Sequence, residues 1–305
     1  LEFRRVLFRS CRIARELDFD LLLTGHQHMP VESVRIGGTF AVQPPANAGR
    51  YLQVEAAVRD GGAEFSARLL PVGGIHREQP YRRLLPLEQA AQRWLDEPVG
   101  HLEQAIPPEE KLRAALHGSA VAALFNQVQL SHTGADISCT SLGNEPAGLA
   151  ASVTMRAITA AYLFSNTLVV LEITEEILRA LLERCASYFT LENGTPRVSD
   201  AFLAPKVEHY NYDFFAGISY QFDLRQPVGR RLTRLSRLDG TPLGPGPLRL
   251  CTSNYRATGT GGYDALRTCP VLWRGSVEMP ELVAEYVRAN SPVSLPCNGR
   301  MEAIW

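Results

Sequence analysis

The chain has 305 residues, 45% of them hydrophobic and 21% charged, with a net charge of −1. That length suits about two domains, and that composition suits an ordinary globular chain rather than a disordered tail. The balanced charge provides no field to recruit a nucleic-acid polymer or an anionic membrane, and no apolar run is long enough to span a bilayer. The six cysteines are dispersed without a C-x-x-C pair, which excludes a disulfide scaffold or a structural zinc knuckle and makes them small buried hydrophobes.

Residues 1–10 (LEFRRVLFRS) resemble a translated sequencing-adapter junction and are set aside from the fold. Residues 11–305 then read as the C-terminal part of a longer protein. Residues 11–18 have the spacing of an amphipathic helix end, with Ile13, Ala14 and Leu17 on one face. Phe19–Thr24 is a buried strand. Val34–Ile36 and Thr39–Gln43 flank Gly37-Gly38 as a hairpin, and Tyr51–Val58 and Glu64–Val72 form a second one around Asp60-Gly61-Gly62. Residues 11–74 are thus the closing layers of an α/β domain. Residues 75–108 mix charge, proline and short apolar groups, which predicts a linker with one short helix near Leu87–Leu95. Pro107-Pro108 precede a helical pattern over Glu109–Leu130.

A second α/β unit comes next, so residues 109–305 form one domain. Its expected strands are Ala135–Cys139, Thr167–Ile173, Gly217–Leu224, Leu248–Thr252 and Met301–Trp305. Its expected helices are Thr154–Tyr162, Met279–Ala289 and one capped by Thr174, with Glu175 and Glu176 in the positive first turn.

Two kinds of pattern carry chemistry. In Gly25-His26-Gln27-His28 an apolar strand ends in two imidazoles one residue apart. Neutral imidazole is the commonest ligand for borderline divalent metals, and histidines at i and i+2 can address two neighbouring ions. The alternative is a pair of loop histidines bonded to backbone or solvent. The second pattern is aromatic: His209-Tyr210-Asn211-Tyr212-Asp213-Phe214 and Asn254-Tyr255 through Gly262-Tyr263 place tyrosines in loops beside strands. Two such rings can sandwich a flat ligand; equally, they can cap a core with their hydroxyls wet.

The order FDLLLTGHQH, GADISCT, SNTLVVLEIT, YNYDFFAGISYQFDL and TSNYRATGTGG resembles the 5′-nucleotidase/cyclic-nucleotide phosphodiesterase family from about residue 11 to the end. The wording around Tyr212 and Tyr255 is most similar to its 2′,3′-cyclic-nucleotide 2′-phosphodiesterase/3′-nucleotidase branch. The resemblance implies an α/β (α+β) chain: the C-terminal end of a calcineurin-like α/β/β/α sandwich, then a 5′-nucleotidase C-terminal domain. It implies that His26 and His28 each bind one of two divalent metal ions, such as zinc or manganese. It also implies that Tyr212 and Tyr255 clamp the nucleobase, with Asn166 and the Ser141–Glu145 loop, Asn144 included, near the substrate.

Two departures matter. The Gly-Gly-Gly-Ile-Arg type of phosphate loop is replaced by Ser141-Leu142-Gly143-Asn144-Glu145, which favours cyclic or 3′-phosphate substrates over 5′-monophosphates. The family's other metal ligands are not found before residue 26, so no catalytic constellation is intact in this chain, which is expected to be inactive alone. The resemblance further implies nucleotide or nucleoside partners, a hinge in the 75–108 segment and an extracytoplasmic location. The rival readings are a 5′-nucleotidase, a nucleotide-sugar or sulfur-ester hydrolase on the same scaffold, and a non-catalytic nucleotide-binding or surface interaction module.

Overall fold

The structure, a computed structural model, describes residues 8–25, 28–74 and 78–305. His26, half of the expected metal pair, lies outside the described residues. The chain divides into two compact units, up to Leu84 and from Leu85 onward.

The first unit opens with helix α1 (Phe8–Glu16), followed by strands β1 (Leu21–Leu23), β2 (Val31–Ile36) and β3 (Thr39–Gln43). They form a sheet in the order β1-β3-β2, with β1 parallel to β3 and Ile36 opposite Thr39 across the Gly37-Gly38 turn. Gly37 turns there at φ +65, a conformation open to glycine at little cost. The central strand β3 is buried throughout. The expectation of a buried strand at Phe19–Thr24 is corrected: β1 spans three residues, pairs on one side only among the described residues, and leaves Leu23 65% exposed. Strands β4 (Arg50–Arg59) and β5 (Gly62–Pro71) make the second hairpin, and Phe65 stacks on Phe40 with ring centroids 5.8 Å apart.

The short helix expected near Leu87–Leu95 is instead α2, Glu78–Asp96, with Pro86 inside it. Proline removes one intrahelical bond, while the Glu, Gln, Arg and Leu residues around it are good helix formers. Arg156 anchors the end of α2 by donating to Asp96 Oδ1 and Gln92 Oε1, each at 2.6 Å.

In the second unit β6 (Pro98–His101) leads to α3 (Lys111–His117) and α4 (Ala120–Thr133). The single helical pattern over Glu109–Leu130 is thus broken in two. Gly118 takes φ +89, and Ser119 is an extended N-cap whose Oγ accepts from the Ala122 N–H at 3.2 Å. Next come β7 (Ile137–Ser141), β8 (Ser152–Thr154), α5 (Met155–Ala161), β9 (Thr167–Ile173) and α6 (Glu175–Ala186). The strands β10 (Phe189–Glu192), β11 (Thr195–Val198), β12 (Asp213–Ala216), β13 (Ile218–Asp223), β14 (Leu232–Arg237) and β15 (Leu248–Ser253) come after them. The chain closes with α7 (Asn254–Ala257), β16 (Val271–Glu278), α8 (Met279–Asn290) and β17 (Arg300–Ile304).

The main sheet has the order β12-β7-β15-β9-β16, and a smaller one the order β14-β13-β17. Strands β7, β15 and β16 run in one direction while β12 and β9 run against them, so the layers are mixed α and β as expected. Helix α4 packs on β7, β12 and β15. Four cysteines (Cys139, Cys185, Cys251, Cys269) are buried without disulfides, as small core hydrophobes. Among the described residues no helix is long and apolar enough to cross a membrane.

Thr174 caps α6 as its position predicts, its Oγ1 accepting from the Ile177 N–H at 3.3 Å. Thr174→Ala should lower the stability of the unit by about 1 kcal/mol. Urea unfolding measures this; an unmoved midpoint would show that the cap contributes nothing.

Candidate functional site

The register of the main sheet gathers distant residues at one edge. In an open α/β sheet, ligands collect outside the carboxyl ends of the parallel strands. Strand β7 ends at Ser141 and runs into the loop carrying Asn144; β15 ends at Ser253 and runs into Tyr255. The antiparallel neighbours begin at the same edge: Asp213 pairs with Ser141, and Leu168 with Ser253. The segments before β12 and β9 therefore arrive there too, with Tyr210, Tyr212 and Asn166.

A buried ion pair joins two of these segments. Arg256 and Asp213 are 2% and 1% exposed. Arg256 Nε and Nη2 donate to the two Asp213 oxygens, both at 2.8 Å. Its remaining N–H groups reach Thr260 O at 2.7 Å, Tyr210 O at 2.9 Å and Asn211 Oδ1 at 3.5 Å. The guanidinium lies 4.1 Å from the Tyr263 ring centroid, a distance suited to cation–π attraction. Burial works against the Arg256 charge, but the Asp213 carboxylate overrides it and holds the arginine above its usual pKa.

The glycines after Arg256 make this approach possible. Gly261 (φ +79) and Gly262 (φ +87) are left-handed, and a Cβ on either would run into Asn211 and Arg256, or into Arg184. Arg184 Nε donates to Gly261 O at 2.9 Å. Beneath the loop, Cys185 Sγ and Tyr263 Oη are 3.0 Å apart, and burial pushes the Cys185 thiol up to about 12. That thiol is a packing group and not a nucleophile.

The aromatic residues separate into core and surface. Tyr212 is 2% exposed, its Oη donates to Ala115 O at 3.0 Å, and its ring packs on Tyr188, Phe189 and Phe214. The expectation for Tyr212 as a clamp residue is therefore corrected: its faces are covered by the core. The cause is the 3-10 turn His209–Asn211, which at three residues per turn breaks the two-residue alternation that would place Tyr210 and Tyr212 on one face. Tyr210 is the half-exposed ring instead. It sits edge-on to Phe164 at 6.3 Å, with Lys206 Nζ 5.6 Å from its centroid. Tyr255 is 43% exposed. Burial raises both phenol pKa values, and Tyr255 is among the groups raising that of Tyr210. Both hydroxyls thus stay protonated at neutral pH.

The two asparagines stand beside them. Asn144 Nδ2 donates to Val207 O at 2.9 Å, tying the loop after β7 to the segment leading into Tyr210, while its Oδ1 is buried without a partner. Asn166 Nδ2 lies 3.5 Å from Tyr162 Oη, and Asn166 O accepts from the Met279 N–H at 2.9 Å. Of the expected metal pair only His28 is described, exposed, in a left-handed conformation at φ +58. Among the described residues no group of three or more His, Cys, Asp or Glu side chains is arranged to hold a metal ion. A two-metal centre needs a bridging carboxylate besides imidazoles, so these residues alone do not fit one.

A family model for the 5′-nucleotidase C-terminal domain matches residues 98–268, more than half of the chain. The chain belongs to that family. It is 27% identical over 139 residues to the trifunctional nucleotide phosphoesterase protein YfkN of Bacillus subtilis, covering 41% of this chain and 9% of that protein. It is 23% identical over 258 residues to the 2′,3′-cyclic-nucleotide 2′-phosphodiesterase/3′-nucleotidase of Haemophilus influenzae, covering 73% of this chain and 38% of that one. It therefore spans well under half the length of either curated relative. Among solved structures, a putative 5′-nucleotidase from Staphylococcus aureus in complex with alpha-ketoglutarate superposes with a TM-score of 0.81 at 27% identity, over 97% of this chain and 58% of that one. A 5′-nucleotidase precursor from Thermus thermophilus shares the fold, with a TM-score of 0.57 at 18% identity over 97% and 62%.

Sequence reasoning misses Arg256, Asp213 and Tyr210 as site residues, although all three stand inside the two aromatic motifs. A signal is present for the pair: a charge at the start of an otherwise apolar strand (Asp213-Phe214-Phe215-Ala216) needs a buried partner. Asp213→Ala should destabilise the domain by about 3–5 kcal/mol by leaving the Arg256 charge uncompensated. Tyr212→Phe should cost only about 1 kcal/mol for one lost hydrogen bond. Thermal unfolding of both variants checks the order; equal losses would contradict it.

Proposed function

We propose that residues 85–305 bind the base of a nucleotide against Tyr210 and Tyr255, as the substrate-holding part of a metal-dependent nucleotide phosphohydrolase. The observation that carries this reading is the Arg256 anchor, which holds the carbonyl of half-exposed Tyr210 and brings it to the same sheet edge as exposed Tyr255, the residue before Arg256. Asn144 supports it by donating from Nδ2 to Val207 O, which ties the loop after β7 to the segment leading into Tyr210. The substrate class is a 2′,3′-cyclic nucleotide or a 3′-nucleotide. That choice rests on the Ser141–Glu145 loop standing in place of a 5′-phosphate loop, and it agrees with the activity named for the Haemophilus relative. We place the protein outside the cytoplasm on the same family grounds.

The two-metal centre is likewise a proposal. His26 and His28 would each supply one ligand, and the bridging carboxylate and other ligands would come from outside the described residues. Such a centre would supply Lewis-acid stabilisation of charge at the phosphate. The contribution of this chain is separate: it binds and orients the base, so that binding energy from a remote part of the substrate serves the reacting centre.

Titration with adenosine or 3′-AMP, followed by calorimetry, tests the base site. Tyr210→Ala and Tyr255→Ala should each weaken binding by about 1–3 kcal/mol, the range for one stacked base, while Tyr212→Phe should leave it unchanged. Absence of binding by the unaltered chain, or indifference to both alanine variants, would reject the reading. With manganese or zinc added, this chain alone should hydrolyse 2′,3′-cyclic AMP no faster than buffer does. Robust metal-dependent turnover would show that a complete metal centre lies within these residues.

A further inference from the structure

A cavity of about 760 Å³ lies within the second unit, apart from the base site. None of Asn144, Asn166, Tyr210 and Tyr255 lines it. Its volume is in the range of small-molecule pockets, about 300–1,000 Å³. One wall is the start of α4 with Glu109 before it, and another is the sheet β14-β13-β17. The segment 296–299 forms a third. That segment is fixed: Asn298 Nδ2 donates to Ala123 O at 2.9 Å, and Asn298 O accepts from the Gly217 N–H at 2.7 Å. Gly299 lies so close to β12 that a Cβ there would be 2.5 Å from Phe215 O. The walls are therefore held before any ligand arrives, which lowers the ordering cost of binding.

Two guanidinium and two carboxylate side chains line this cavity: Arg234, Arg300, Glu109 and Glu302. Arg234 of β14 and Glu302 of β17 flank Gln221 of β13 in register, and Arg300 stands beside Ser219. Residues two apart on a strand share a face, so both arginines and Glu302 stand on one face of the small sheet. Among the described residues none of the four makes an ion pair, and neither arginine side chain donates a hydrogen bond. The carboxylates are bonded to neutral donors only. Glu302 Oε2 accepts from Gln221 Nε2 at 2.5 Å, while Glu109 accepts from Ser119 Oγ and from the Ala120 N–H at 3.0 Å. An ionised carboxylate has about four lone-pair sites and an arginine five N–H donors, so all four groups have capacity left. Half-buried Pro296 and Met301 add apolar surface.

We propose that this cavity binds a short zwitterionic peptide, its carboxylate taken by Arg234 and Arg300 and its ammonium by the Glu302 and Glu109 carboxylates. An anion alone is repelled by both glutamates, and a cation alone by both arginines. A ligand with one charge of each sign is attracted by all four groups. Guanidinium and carboxylate match through two parallel N–H···O bonds, which are stronger than neutral ones. The charges stand on different walls of a cavity larger than one amino acid, which selects a peptide over a free amino acid. Pro296 and Met301 suit an apolar side chain between its termini. The proposal does not depend on the base site.

Calorimetric titration of the full chain with glycylphenylalanine at neutral pH tests this. Two capped forms carry one charge each: N-acetylglycylphenylalanine and glycylphenylalanine amide. The free dipeptide should bind saturably, and each cap should weaken it by about tenfold or more, the loss of a charge-assisted bond. Absence of saturable binding, or capped forms that bind as well as the free one, overturns the proposal. The double variant Arg234→Gln/Arg300→Gln, at two exposed positions, should bind the free dipeptide and its amide alike. A retained preference for the free carboxylate overturns the assignment to these arginines. If that variant does not fold, the capped peptides on the unaltered chain still decide. No nucleoside is present in the titration, so failure here is separable from failure of the base site.

Discussion

The Arg256–Asp213 pair is the constraint on which the edge of the main sheet depends. A buried ion pair is often no more stabilising than well-packed apolar residues of the same volume, because both charges must leave water. What it supplies is a single arrangement. An arginine has five N–H donors in a fixed fork, and here they are divided among Asp213, Tyr210 O, Asn211 and Thr260 O. Asp213 opens β12 while Arg256 comes after β15, and β7 lies between those strands. The guanidinium therefore bridges two loops that the sheet alone leaves one strand apart.

The left-handed glycines belong to the same constraint. Thr260 O can meet Arg256 only if the chain folds back within a few residues, and Gly259, Gly261 and Gly262 all take positive φ to do so. At Gly261 and Gly262 side-chain volume is excluded as well, by Asn211, Arg256 and Arg184. The glycine-rich text that reads in sequence as a flexible turn is thus a close-packed one. Its glycines cost conformational entropy on folding, and the bonds to Arg256 and Arg184 offset that cost.

Much of this architecture is legible in the sequence because local signals and tertiary packing agree. Thr167–Ile173 is a strand with the expected bounds, and Thr174 caps the helix after it. The convergence of Asn144, Asn166 and Tyr255 is a consequence of their places at strand ends. What is hidden depends on backbone detail finer than a residue pattern. Tyr210 and Tyr212 are the same residue type two positions apart, and only the 3-10 turn decides which ring faces the core. The helical pattern over Glu109–Leu130 has continuous apolar spacing, and its break at Gly118-Ser119 is enforced by Glu109, which accepts from Ser119 Oγ and the Ala120 N–H. The extent of β1 is overestimated because an apolar run does not reveal how many neighbours a strand has.

The division between core and surface tyrosines shapes what the site can do. Tyr188, Tyr212 and Tyr263 are buried with each hydroxyl bonded, to His209, Ala115 O and Asn211 O respectively. They are fixed parts of the core, each held by its hydroxyl bond as well as by packing. Tyr210 and Tyr255 have their backbones held, one by its carbonyl on Arg256 and the other as the residue before it. In the proposed base site a flat ring would require little loop ordering, which is where much binding free energy is otherwise lost. A loop of this composition without the buried arginine would have to be ordered at every binding event. The buried pair is therefore better understood as pre-organisation of the exposed rings than as a source of stability.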